Sequence, residues 1–153
     1  MKEAIKEFEK TKDFLICVDS DGCVLDTMDV KHMCCLGPCL VHVWNLEEYR
    51  DEIIRLWRKV NLFSPAKGLN RFRGLAKVLA EIHENYVRVE GLSEYIYWVQ
   101  TTREHSDESL EEAFERTGSS CIRKAMEWSN LVNQSMAMIP IKRNSLLTAR
   151  GKR

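Results

Sequence analysis

The 153-residue sequence predicts a mostly α fold with one core β-strand, and three observations lead there. A short apolar run, Phe14-Leu15-Ile16-Cys17-Val18, ends on Asp19-Ser20-Asp21-Gly22, the pattern of a strand delivering a turn. Beyond Thr27 the apolar positions switch to helical spacing and keep it until Pro140. No second run of strand type is present. A lone strand leaves backbone donors and acceptors without neighbours, so the sheet is expected to be incomplete and the chain to self-associate through it.

Each element has its own local reason. Residues 2–11 mix Lys and Glu and predict a short surface helix ahead of the strand at 14–18. Leu46, Tyr49, Ile53, Trp57 and Val60 form one amphipathic stripe, and Phe72, Leu75, Leu79, Ile82 and Tyr86 form another. Ser93 is placed to cap a shorter helix holding Tyr95, Ile96 and Val99. Ser106 opens Asp-Glu-Ser-Leu-Glu-Glu-Ala-Phe, with acids in the first turn where the helix dipole favours them, and Gly118 closes it. Ser119 or Ser120 starts the last long helix, whose inner face runs Ile122, Ala125, Ser129, Val132 and Met136. Breaks are expected at Gly37-Pro38, at Ser64-Pro65 with Gly68, at Gly91 and at Thr117-Gly118. The expected organisation is therefore 1–27 as the strand and its loop, 28–140 as a helical unit, and 141–153 as a basic tail.

Composition excludes some function classes. With 23 basic and 23 acidic side chains there is no global field to draw nucleic acid or a membrane surface. The tail has five basic residues and no acid, but lacks aromatic stacking partners, so it is read as a solvated end and nucleic acid is not an expected partner. No run is long enough to span a bilayer, and the acids in the first ten residues do not suit a signal peptide. Of the six cysteines, Cys17 lies in the apolar run and Cys34 and Cys35 are adjacent, which suits reduced thiols and a cytoplasmic setting. His32, Cys34, Cys35, Cys39 and His42 have the residue types of a zinc site, but their spacing matches no paired knuckle and Gly37-Pro38 interrupts it.

The chemistry concentrates at residues 19–27. A carboxylate ending a strand can attack phosphorus and form an aspartyl-phosphate, and Asp19 fits that nucleophile. A second carboxyl two residues on, Asp21, can protonate the leaving oxygen and later activate water. Gly22 keeps side-chain bulk away from an incoming phosphate. Magnesium is the natural metal for Asp19 and Asp21, since it takes a few oxygen ligands and retains waters that substrate can replace. Thr27 and His32 are candidate substrate contacts, and Lys67, Arg71 and Arg73 could meet an anion, though a solvated basic face explains those three better. Asp and Gly are also common in solvated turns. A calcium loop counted from Asp19 would need Gly at 24 and Glu at 30, where the chain has Val24 and Val30.

Asp19-x-Asp21-Gly22-x-x-x-Asp26-Thr27 after Phe14–Val18 resembles the first motif of the haloacid dehalogenase superfamily, in its phosphatase-type members. The resemblance implies an α/β (Rossmann-like) core entered by its first strand, Asp19 as nucleophile, Asp21 as acid/base with its backbone carbonyl on Mg2+, and a helical cap inserted directly afterwards. It implies magnesium-dependent hydrolysis of a small phosphate ester, a small phosphorylated metabolite being the partner. The family's later motifs, a Ser or Thr ending a second strand, a Lys, and an acidic pair, are not found in the remaining sequence. The chain is therefore expected to be a truncated, inactive form of such an enzyme, the alternative being a non-catalytic helical interaction or regulatory module.

Overall fold

The computed structural model describes residues 28–63 and 69–138. Helix α1 (Met28–Lys31) runs through a π-helical stretch, His32–Leu36, into α2 (Gly37–Val43). A 3-10 turn, Glu47–Tyr49, leads into α3 (Arg50–Arg58), which continues as a second π-helical stretch, Lys59–Phe63. Then come α4 (Arg71–Asn85), α5 (Leu92–Thr101), α6 (Asp107–Thr117) and α7 (Ser120–Ala137).

The expected fold class requires a correction. Every described element is helical, and among the described residues there is no strand and no sheet to which an α/β core strand could add. The mostly α part of the expectation stands, and the mixed α/β core does not. A strand is held by hydrogen bonds to a neighbouring strand, and the described chain commits its backbone groups to helices instead. Phe14–Val18 themselves, like the helix expected at 2–11 and the basic tail, lie outside the described residues.

Local signals explain most boundaries. Asn70 caps α4, its Oδ1 accepting from the Phe72 backbone N–H at 2.9 Å, and Ser106 caps α6 through the Ser109 N–H at 3.2 Å. Gly118 ends α6 at φ 64°, the left-handed conformation that a β-carbon would strain. Ser93 does not cap α5. That place belongs to Gly91 at φ 73°, so the helix starts before Ser93, whose hydroxyl donates to Glu94 instead. Gly37-Pro38 does not break the chain either. The Gly37 N–H reaches back to the His32 carbonyl, and this widened turn clears the carbonyls that a proline ring would strike. Gly37 serves close packing, since a β-carbon there would lie 2.9 Å from Ile54 Cδ1.

α7 is the centre of the assembly, packing against α2, α5, α6 and the first π-helical stretch. Of the face read from sequence, Ile122, Ala125, Ser129 and Val132 are buried and Met136 only partly so, and Trp128 is buried beside them. Phe72, Leu75, Leu79 and Ile82 of α4 are likewise enclosed. Burying a side chain of this size contributes roughly 1.5–3 kcal/mol. An aromatic chain runs through the interior, with ring centroids 5.9 Å apart for Trp57–Trp128, 6.2 Å for Phe72–Trp128 and 5.4 Å for Phe72–Trp98. Indole N–H groups are satisfied inside it: Trp128 donates to the Leu36 carbonyl at 3.0 Å and Trp98 to the Ser109 carbonyl at 3.1 Å. Trp57, Trp98 and Trp128 are thus packing residues, whereas the buried Trp44 finds no partner for its Nε1–H among the described residues. No described helix is long and apolar enough to cross a membrane.

Candidate functional site

Of the residues singled out in the sequence, Asp19, Asp21, Gly22 and Thr27 lie outside the described residues. His32 lies inside them, on the first turns of the helical body, five positions beyond Thr27. It is half-buried, and Trp57 of α3 fixes its state. The indole Nε1–H donates to His32 Nδ1 at 3.1 Å, with ring centroids 6.0 Å apart. An indole nitrogen is only a donor, so Nδ1 must be an acceptor and the imidazole is neutral with its proton on Nε2. Burial pushes the imidazole below its ordinary value of 6.5, and the nearby Asp29 carboxylate opposes this in part.

Trp57 is itself held from the other side. Asn61, buried in the second π-helical stretch, donates from Nδ2 to the Trp57 carbonyl at 3.1 Å. A hydrogen-bonded line therefore runs from Asn61 through Trp57 to His32 and ties the two π-helical stretches together. Such stretches insert an extra residue per turn and re-aim the side chains around them. Here they turn Asn61 inward against α4, where Gly74 leaves room for its amide. Neither Trp57 nor Asn61 is marked as a site residue by the sequence. A polar residue just past the apolar stripe 46–60 was the available signal.

The cysteine and histidine group separates in space. Cys35 and Cys39 are buried while Cys34 is exposed, and all are free thiols. His32 spends Nδ1 on Trp57, and Cys39 Sγ lies 3.6 Å from Ser135 Oγ. Burial pushes the Cys35 thiol up, helped by Cys39 and Cys34, which opposes the thiolate that zinc would need. Among the described residues no three His, Cys, Asp or Glu side chains converge as a metal site. The oxygen donors that would suit magnesium, Asp19 and Asp21, are outside them.

The basic residues near the start of α4 divide. Arg71 is committed within the protein: its guanidinium reaches Asn133 Oδ1 at 2.8 Å, Ser129 Oγ at 2.7 Å and both oxygens of Asp107 at 3.1 and 3.2 Å. Ser129 also donates to Asp107 in a short hydrogen bond. This network joins α4, α6 and α7, so Arg71 is an interhelical clamp and not a free anion receptor. Arg73 stays exposed, 3.4 Å from His105 Nε2. His105 Nε2 is also 2.9 Å from the Val99 carbonyl, which calls for a proton on that nitrogen and leaves it nothing to offer Arg73. Asp107, Ser129 and Asn133 were not legible as partners, although Ser129 on the apolar face of α7 was a visible anomaly. A cleft of about 370 Å³ between α5 and α6, lined by Tyr97, Trp98, Arg116 and Ile122 among others, includes none of these groups.

No family model, curated protein or solved structure matches the chain.

Proposed function

We propose that this chain carries the nucleophile loop and the substrate-covering helices of a magnesium-dependent phosphohydrolase of the haloacid dehalogenase type, acting on a small phosphate ester. The observation that carries the reading is one of placement. The described helical body follows the motif in sequence and builds an enclosed core from Leu36 to Val132. A helical body with its own core that follows an acidic motif in sequence suits a cap that excludes water from a reacting phosphate.

In this reading the Asp19 carboxylate attacks phosphorus and forms the aspartyl-phosphate, while Asp21 gives a proton to the leaving oxygen and then takes one from the attacking water. Magnesium, held by the oxygens of Asp19 and Asp21, supplies neutralisation of the phosphoryl charge. His32, at the motif-facing end of the body in sequence, contributes a contact to substrate. The unpaired thiols Cys34, Cys35, Cys39 and Cys121 support a reducing, cytoplasmic compartment for it.

The test is turnover of an aryl phosphate by the purified chain in the presence of magnesium, beside its Asp19→Asn variant. Because no later Lys or acidic pair is found in the sequence, the parent chain is expected to bind phosphate with magnesium without turning the ester over, and Asp19→Asn to lose that binding; turnover by the parent that the variant lacks would show an active hydrolase. Absence of both turnover and magnesium-dependent phosphate binding would remove the hydrolase reading and leave a helical interaction module.

A further inference from the structure

We propose that the cleft between α5 and α6 is a ligand site in its own right, which binds a free amino acid with an aromatic side chain. The proposal is independent of the hydrolase reading, and every residue it uses belongs to the described helical body. The cleft holds about 370 Å³, at the small end of the roughly 300–1,000 Å³ typical of ligand sites, which leaves room for a molecule of amino-acid size. It stays open because α6 lines it with Ala113, whose methyl group does not fill the space that a longer side chain would take. Ile122 of α7 closes it behind. Trp98 is a fixed wall, its indole N–H donating to the Ser109 carbonyl at 3.1 Å and its ring stacked on Tyr95 with centroids 5.7 Å apart. Tyr97 differs: it is 63% exposed, and its ring packs on no other described aromatic ring. An apolar recess beside an uncovered aromatic face suits an aromatic body.

The polar groups set the ligand's charges. Glu94 stands on α5 and Arg116 on α6, so the two walls carry one carboxylate and one guanidinium. They do not pair with each other, and Arg116 makes no hydrogen bond or ion pair with any described residue. The Glu94 backbone N–H and the Ser93 hydroxyl hold the Glu94 carboxyl below its ordinary value, so it is an anion at neutral pH. The hydroxyls at the cleft are already spent, Ser93 on Glu94 and Thr117 on the Ala113 carbonyl at 2.8 Å. A plain aromatic acid would satisfy Arg116 but meet Glu94 as a like charge, and a plain amine would do the reverse. A zwitterion answers both walls, with its carboxylate on the Arg116 fork and its ammonium on Glu94.

The experiment titrates the full chain, labelled at alanine and isoleucine methyl groups, with L-phenylalanine while calorimetry measures affinity. Hydrocinnamate, which lacks the ammonium, and phenethylamine, which lacks the carboxylate, are the comparison probes. L-phenylalanine should shift the Ala113 and Ile122 methyl signals, and each comparison probe should bind about tenfold more weakly. Arg116→Gln should lose about tenfold for L-phenylalanine and nothing for phenethylamine, while Glu94→Gln should show the same loss for L-phenylalanine and none for hydrocinnamate. Both side chains are exposed, so both variants keep the fold. Failure of L-phenylalanine to bind at millimolar concentration overturns the proposal, as does binding that leaves both methyl signals unmoved. Equal affinity for hydrocinnamate and L-phenylalanine overturns the zwitterion, and an affinity that neither variant changes overturns the site.

Discussion

A β-carbon placed on Gly74 would overlap Oδ1 of Asn61, so the absence of a side chain on α4 is what allows the second π-helical stretch to turn a buried amide inward. Gly74 has ordinary helical surroundings and needs no special backbone conformation. Its role is space.

Gly74→Ala should therefore destabilise the protein by about 1–3 kcal/mol, although alanine is the better helix former, because Asn61 and the turn carrying it must move. Urea denaturation measures this directly. In the double variant with Asn61→Ala the clash disappears, and the loss should be smaller than the sum of the single ones. Strict additivity would show that the two positions do not press on each other.

Ser129→Ala should cost about 1 kcal/mol, since it removes the one buried hydroxyl that serves both Arg71 and Asp107 in a partly exposed network. Combined with Asp107→Ala the effects should be less than additive, as both substitutions strip the same clamp. Thermal unfolding of the two single variants and the double one reads the coupling.

Stability should fall in mild acid partly through His32. Its native value is depressed by burial while the unfolded side chain titrates near 6.5, so below that pH the unfolded state takes up the proton first. The contribution is whole above 6.5 and is lost as pH drops through the lower native value. Urea unfolding of the parent chain and of His32→Gln at about pH 7.5 and about pH 5 should show the larger loss in the parent. Equal losses would place the acid sensitivity elsewhere.

Thiol reactivity should separate the cysteines. Burial holds the Cys121 thiol up at about 12, with Lys124 opposing and Glu94 adding to the shift, so it stays protonated and inert near neutral pH. Cys34 is exposed. Alkylation and subsequent peptide mass mapping should label Cys34 in the native protein and Cys121 only after denaturant is added. Comparable native rates at the two would contradict the enclosed α7 face.

Tyr95 offers a check on the α4–α5 packing. Its hydroxyl is fully buried and donates to the Phe72 carbonyl at 3.0 Å, and burial pushes the phenol well above its usual range. Tyr95→Phe should cost about 1 kcal/mol and leave the helices in place by circular dichroism.

Legibility in the chain depends on distance along it. Helices α4, α6 and α7 announce themselves through a 3.6-residue period, and α6 also through the capping side chain of Ser106, because both are properties of neighbouring residues. Ser106, Gly118 and the stripe Ile122, Ala125, Ser129, Val132 stand where local chemistry puts them. The helix through Gly37-Pro38 did not announce itself, because turn formers look alike whether they open a loop or let Ile54 come close. Ser93 lost its capping role to a glycine in a turn tied down from far along the chain, where the Ser119 and Ser120 hydroxyls donate to the Gly91 and Glu90 carbonyls.

The acidic pattern at 19–27 and the helical character of the chain beyond it were determined by sequence alone, since carboxylate spacing and apolar period need no third dimension. Tertiary structure decided that the described body contains no sheet, that Arg71 clamps three helices, and that His32 is neutral with its proton on Nε2. The last two depend on partners 25 to 62 residues away, Trp57 for His32 and Asn133 for Arg71, and a partner's donor or acceptor character becomes decisive only when folding brings the two atoms within a hydrogen bond.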